Sequence, residues 1–178
     1  MILSDKQILA EIKKKNIVIK PYDRKNLGTN SYDVHLGEWL ATYEDEIIDA
    51  KKHNKIKKFK IPKEGYVLLP THLYLGVTKE YTETLTTVPF LEGKSSVGRL
   101  GIDIHATAGK GDVGFKNYWT LEISVKMPVK VYYGMPIGQL IYFAVDGDVL
   151  TPYDKKSSAK YNKKTVHPVE SMMWKNKF

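Results

Sequence analysis

The chain has 178 residues, 42% of them hydrophobic, which suits one domain with a real core and argues against a disordered chain. Its formal charge is +8 and it has no cysteine, which excludes disulfides, thiolate metal sites and cysteine nucleophiles together. No apolar run approaches the ~20 residues of a membrane span, and Met1-Ile2-Leu3-Ser4-Asp5-Lys6 lacks the core of a signal peptide, so a cytoplasmic enzyme or binding protein is expected, with no membrane partner.

Ser4 and Gln7 are spaced as a capping box, and Ile8, Leu9 and Ile12 form one apolar stripe. With Lys13, Lys14 and Lys15 at the negative end of the dipole, this predicts a short helix over roughly 5–15. Ile17-Val18-Ile19 reads as a short strand ending at Pro21. In Ser31-Tyr32-Asp33-Val34-His35-Leu36-Gly37, the residues Tyr32, Val34 and Leu36 face one way and Asp33 and His35 the other. Trp39 to Tyr43 continues that strand across a bend at Gly37. Residues 51–63 carry seven lysines and no acid, after the acidic patch Glu44-Asp45-Glu46. This run reads as the solvated arms of a hairpin; no zinc-finger, RNP or helix-turn-helix pattern accompanies it, so nucleic acid is not expected as a partner.

Tyr66-Val67-Leu68-Leu69 and Leu73-Tyr74-Leu75-Gly76-Val77 read as further short strands. Then Gly93-Lys94-Ser95-Ser96-Val97-Gly98-Arg99-Leu100-Gly101 gathers three glycines, two hydroxyls and two cations within nine residues. Backbone amides, serine hydroxyls, Lys and Arg are the groups that hold phosphate oxygens, so the stretch reads either as an anion cradle or as a Ser/Gly turn with two solvated cations. It lacks the Walker A spacing. Gly111-Asp112-Val113-Gly114-Phe115 is a second glycine-rich turn, where Asp112 is either a turn former or an acceptor for a sugar hydroxyl. Tyr118 to Lys126 alternates most cleanly, with Trp119, Leu121, Ile123 and Val125 on one face and Thr120, Glu122, Ser124 and Lys126 on the other. On that polar face Glu122 is either a solvated carboxylate or a general acid/base on a rigid strand. Val129–Tyr133 and Gly138–Phe143 add two strands, joined through Gly134-Met135-Pro136. The lysine-rich tail from Pro152 has little strand or helix signal and is expected to be disordered, or ordered by a ligand or a neighbouring subunit. His35 and His105 read as satisfied structural histidines. Short strands separated by turns predict an all-β barrel or sandwich with one short helix.

The ordered set Gly93 to Gly101, His105-Ala106-Thr107-Ala108, Gly111 to Phe115, Thr120-Leu121-Glu122 and Ile137-Gly138-Gln139-Leu140 strongly resembles the dCTP deaminase branch of the dUTPase superfamily. The likeness extends to Leu3-Ser4-Asp5, residues 31–37, Pro152-Tyr153 and Ala159-Lys160-Tyr161. It implies a mainly β, dUTPase-like distorted β-barrel or jelly roll forming a homotrimer with inter-subunit active sites. It implies hydrolysis of the cytosine 4-amino group of dCTP, with Glu122 as proton carrier and Ser95 and Arg99 completing the polar network around the water. Lys94 and Ser96 would hold phosphates, beside Val97 and Gly98. Gln139, Tyr153, Lys160 and Lys164 would close over the phosphates, the backbone of Thr120 and Leu121 would read the base, and Asp112 would accept from the 3′-hydroxyl. Mg²⁺ would arrive with the triphosphate, dCTP and dUTP would be the ligands, and dTTP is a candidate inhibitor. A zinc deaminase site needs cysteines that this chain lacks. Ala108-Gly109 and Gln139 lean toward the bifunctional members, which also split the α–β phosphate bond to give dUMP and pyrophosphate. The family usually carries Arg where this chain has Lys94 and Gln where Lys164 falls. A dUTPase acting on dUTP alone, and a nucleotide-binding regulator without catalysis, are the alternatives; Glu122 argues against the first, and its company with Ser95, Arg99 and Asp112 against the second.

Overall fold

The computed structural model describes residues 1–178. In chain order the elements are helix α1 (Asp5–Lys13), strands β1 (Ile17–Lys20), β2 (Tyr32–Tyr43), β3 (Ile56–Lys60), β4 (Tyr66–Leu68), β5 (Tyr74–Thr84) and β6 (Thr87–Gly93), the helical turn α2 (Ser95–Gly98), and strands β7 (Ile102–Asp103), β8 (Lys116–Val125), β9 (Val129–Val131) and β10 (Pro136–Ala144). Eight strands form one antiparallel sheet in the order β6-β10-β2-β5-β8-β7, with β1 added on β5 and β3 on β2; β4 and β9 make a separate ribbon.

Register shifts in β2 between Leu36 and Leu40, and in β5 between Val77 and Tyr81, bend the sheet. The free edge of β6 is then stitched to the loop before β8, through Leu91 N–H to Gly109 O at 2.7 Å and Gly111 N–H to Pro89 O at 2.8 Å. The result is a distorted, nearly closed barrel. Gly37 is where β2 presses on β5: a Cβ there would lie 2.8 Å from Val77 O.

The strands form where alternation fits a one-sided core. Along β8, Asn117, Trp119, Leu121, Ile123 and Val125 are buried while their neighbours stay half-exposed, and Tyr32, Val34, Leu36 and Leu40 of β2 are fully buried. Each such large apolar side chain contributes about 1.5–3 kcal/mol of burial. Helix α1 opens on the capping box: Ser4 Oγ accepts from Gln7 N at 3.4 Å, and Ser4 N donates to Gln7 Oε1 at 2.9 Å. Ile8 plugs α1 into the barrel end with no exposure.

The lysine run forms a hairpin as expected, β3 pairing antiparallel with the second half of β2. His35 is satisfied within the fold: its backbone N–H donates to Glu80 Oε2 at 2.8 Å and its Nδ1 lies 2.7 Å from Oε1. Two expectations change. The strand at 73–77 continues to Thr84, because the β-bulge lets a run of polar residues stay paired. The tail, expected to lack order of its own or to need a ligand or a neighbour, lies against its own barrel with two short 3₁₀ turns. The reason is side chain-to-backbone bonding that no local pattern encodes: buried Asn117 donates to Tyr161 O and Lys163 O and accepts from Thr165 N.

Candidate active site

Strand β6 delivers the glycine-serine stretch to one end of the barrel. Lys94 caps α2 in extended conformation, buried Val97 anchors the turn, and Gly101, at φ +74°, turns the chain into β7. Ser95, Ser96, Gly98 and Arg99 are exposed, and Arg99 makes no ion pair within the chain. Lys94, Ser95, Gly98 and Gln139 border a cleft of about 510 Å³ together with Glu92 and His105.

Two of these lining residues, Glu92 and Gln139, belong to a row of cross-strand partners that runs on to Asp33. Asp33 of β2 lies opposite Gln139 of β10, which lies opposite Glu92 of β6. Directly paired residues share a face of the sheet, so these three side chains stand in line. Gln139 Nε2 donates to Gly93 O at 3.3 Å, Lys94 Nζ is ion-paired to Asp33, and Glu92 lies 3.7 Å from His105 Nε2.

Glu122 stands mid-strand between fully buried Leu121 and Ile123, so its backbone has little freedom. Its N–H donates to Ile104 O at 3.0 Å and its Oε2 accepts from Ala106 N at 3.2 Å. The segment carrying His105 is thereby clipped to Glu122 on both sides, which ties the carboxylate to the cleft edge. Asp112 sits in the turn that Phe115 N–H closes onto Asp112 O at 3.0 Å; its carboxylate takes Lys110 Nζ at 2.7 Å and is 45% exposed. Gly109, buried, would place a Cβ 2.5 Å from Leu91 O, so only glycine fits this stitch; its neighbour Ala108 is exposed.

The remaining expected residues lie away from the cleft within this chain. Tyr153 N–H donates to Val113 O at 2.7 Å, Lys164 Nζ rests 4.1 Å from the Tyr81 ring centre, and Lys160 is bonded to Asn176. Thr120 Oγ1 accepts from Val169 N at 3.2 Å, and Leu121 is in the core. The chain thus brings together Lys94, Ser95, Gly98 and Gln139 at the cleft, with Arg99 at the end of the same α2 turn and Glu122 bonded to the residues on either side of cleft-lining His105, and holds Asp112, Tyr153, Lys160 and Lys164 elsewhere on its surface. No group of three or more His, Asp or Glu side chains is arranged to hold a metal ion.

Two tail carboxylates have shifted acidities. The Lys116 ammonium bonded to Asp154 at 2.8 Å holds that carboxyl below its ordinary value. Burial pushes Glu170 up, but hydrogen bonds from His53 and the backbone outweigh it, and the net shift is downward. The residue that sequence reasoning missed is Asp33: its alternation with His35 placed it on a polar face, and nothing local linked it to Lys94, 61 positions away.

Residues 2–145 match the family described as dCTP deaminase-like. The chain is 52% identical over 177 residues to the protein named "dCTP deaminase, dUMP-forming" of Clostridium acetobutylicum, covering 99% of this chain and 98% of that one. It is 51% identical over 149 residues to the protein of the same name from Leptospira biflexa serovar Patoc, covering 84% of this chain and 85% of that one. Among solved structures, the 2′-deoxycytidine 5′-triphosphate deaminase from Agrobacterium tumefaciens aligns with TM-score 0.64 at 20% identity, over 81% of this chain and 48% of the other, a likeness of fold. Family match, near full-length identity and barrel agree, and the chain belongs to the dCTP deaminase-like family.

Proposed function

We propose that this chain is a hydrolase that converts dCTP to dUMP, ammonia and pyrophosphate with two molecules of water. The near full-length identity to proteins named "dCTP deaminase, dUMP-forming" supports the overall reaction. The observation that carries the mechanism is Glu122, a carboxylate fixed on a core strand and bonded to Ala106 at the edge of a cleft that offers Lys94, Ser95 and Gln139. In the first step Glu122 takes a proton from water as its oxygen bonds to C4 of cytosine, and delivers that proton to N3. The C4–N4 bond then breaks, ammonia leaves with the second water proton, and uracil remains. In the second step another water attacks the α-phosphorus, the bond to the bridging oxygen of the β-phosphate breaks, and pyrophosphate departs. A carboxylate on a rigid element suits proton transfer, because it needs hydrogen-bond reach to both donor and acceptor.

Lys94, Ser95, Ser96 and Gln139 hold the triphosphate, with the amides of Val97 and Gly98 beside it, while Ser95 and Arg99 orient the water. Mg²⁺ would be carried by the triphosphate rather than held in a protein cage, and would supply charge neutralisation of the phosphates that Lys94 faces. Asp112, the Thr120–Leu121 backbone, Tyr153, Lys160 and Lys164 stand apart from the cleft of one chain. This separation supports a homotrimer in which one subunit's cleft is completed by another's surface. dTTP, with the same triphosphate and sugar, is the candidate inhibitor of that site, and the cytoplasm, with its nucleotide pool, the compartment.

The test is Glu122→Gln, which keeps the shape and removes the proton carrier. Loss of deamination on the order of 10³-fold is expected, with dCTP affinity within about threefold of wild type. Deamination by Glu122→Gln at the wild-type rate would overturn the mechanism.

A further inference from the structure

Resting on that reading of the cleft as a triphosphate site, we propose that Asp33 is a positioning residue for Lys94, fixing the ammonium at the cleft so that it meets the phosphates already ordered. The observation is a pairing across 61 residues of sequence: Lys94 Nζ is bonded to Asp33 Oδ2, with only 24% and 29% of the two side chains exposed. Asp33 is a rigid anchor. Its neighbours Tyr32 and Val34 are both fully buried, and its backbone is locked opposite Gln139. Gln139 in turn bonds Gly93 O, immediately before Lys94, so one row of the sheet fixes both the backbone and the charged end of this residue.

Lysine needs such an anchor. Its ammonium is a point charge on a flexible four-carbon stem, without the planar fork that pre-organises arginine. A free lysine must give up its rotamer freedom when the ligand binds; bound to Asp33 it gives it up on folding, which raises affinity without any new contact to the ligand. The bond to Asp33 uses one N–H donor and leaves two for phosphate oxygens. The opposing effect is repulsion between the Asp33 carboxylate and the phosphates. The Lys94 charge interposed beside that carboxylate offsets the repulsion, and the ordering effect prevails.

The role is one of binding rather than proton transfer, so it separates from Glu122 in the kinetics. In Asp33→Asn, KM for dCTP rises roughly tenfold while kcat stays within about twofold, and inorganic tripolyphosphate binds roughly tenfold more weakly by calorimetry. Asp33→Glu, which keeps the charge one methylene further out, falls between. In a Lys94→Ala background Asp33→Asn causes no further loss of tripolyphosphate affinity, because there is nothing left to position and the carboxylate there only repels the phosphates. Unchanged or tighter tripolyphosphate binding by Asp33→Asn, or an equal loss in the Lys94→Ala background, would overturn the proposal. If Asp33→Asn does not fold, wild-type affinity in Asp33→Glu overturns it and an intermediate loss supports it. Failure of the wild-type protein to convert dCTP would remove the proposed function alone, since the tripolyphosphate measurements decide the Asp33–Lys94 relation without turnover.

Discussion

Glu122 and Asp112 differ in how firmly the chain holds them. Glu122 is braced by buried neighbours and by two hydrogen bonds to the Ile104–Ala106 segment. Asp112 is held by a turn and by Lys110, and almost half of it faces solvent. The first suits a group that must keep its distance to a reacting atom; the second suits a group that trades its lysine for a sugar hydroxyl. Asp112→Ala is therefore expected to weaken dCTP binding by about 1.5–3 kcal/mol, the scale of a charge-assisted hydrogen bond, and to leave the melting temperature within a few degrees. Titration calorimetry checks this, and unchanged affinity would remove Asp112 from the site. At this scale the sequence was informative where chemistry follows parity. Alternation from Tyr118 to Lys126 places Glu122 on the polar face, and β8 keeps that alternation. It was silent on Asp33, because a contact between distant strands depends on sheet order, which alternation does not specify.

Among the elements, α1, β8 and the β2–β3 hairpin were legible because their signals are local: a capping box, a strict period of two, a lysine-rich run after an acidic turn. The tail was not, because its order comes from single side chains scattered over the barrel. Asn117 bonds three tail groups, and Thr120, Tyr43 and His53 one each. Two expectations follow. Asn117→Ala removes three tail hydrogen bonds at once, so hydrogen exchange over 161–170 should rise at least about tenfold while the β8 core stays protected. Acid should act on the same segment. Asp154 and Glu170 titrate below their ordinary values of 3.8 and 4.5 when docked, so their contribution is complete above those values and is lost as pH falls through the depressed ones. Tail protection should hold from pH 8 to about pH 5 and decline below about pH 4; a tail equally protected at pH 3 would contradict this.

For the whole molecule, a single chain keeps apart several of the residues that the proposed reaction uses. One chain presents a cleft with Lys94, Ser95 and Gln139 and, elsewhere, Asp112 and the lysine-bearing tail. If neighbouring copies complete the site, two different inactive variants can restore it between them. Glu122→Gln and Arg99→Ala proteins, each inactive alone, should together recover about a quarter of wild-type activity after 1:1 co-refolding if the two residues come from different subunits, and nothing beyond additive residual activity if they come from one. The all-β class followed from the recurrence of short alternating strands and the barrel from the family resemblance, whereas the proposed assembly has no such local signature, since Ser95, Ser96 and Arg99 read as ordinary exposed residues of a turn. The most direct test of the central claim is the fate of dCTP itself. Purified protein incubated with dCTP and Mg²⁺, with products separated by ion exchange, should give dUMP, pyrophosphate and ammonia in equal amounts. Accumulation of dUTP with ammonia would contradict the phosphate-cleaving step, and unchanged dCTP would contradict the account as a whole, leaving a dUTPase or a non-catalytic nucleotide binder.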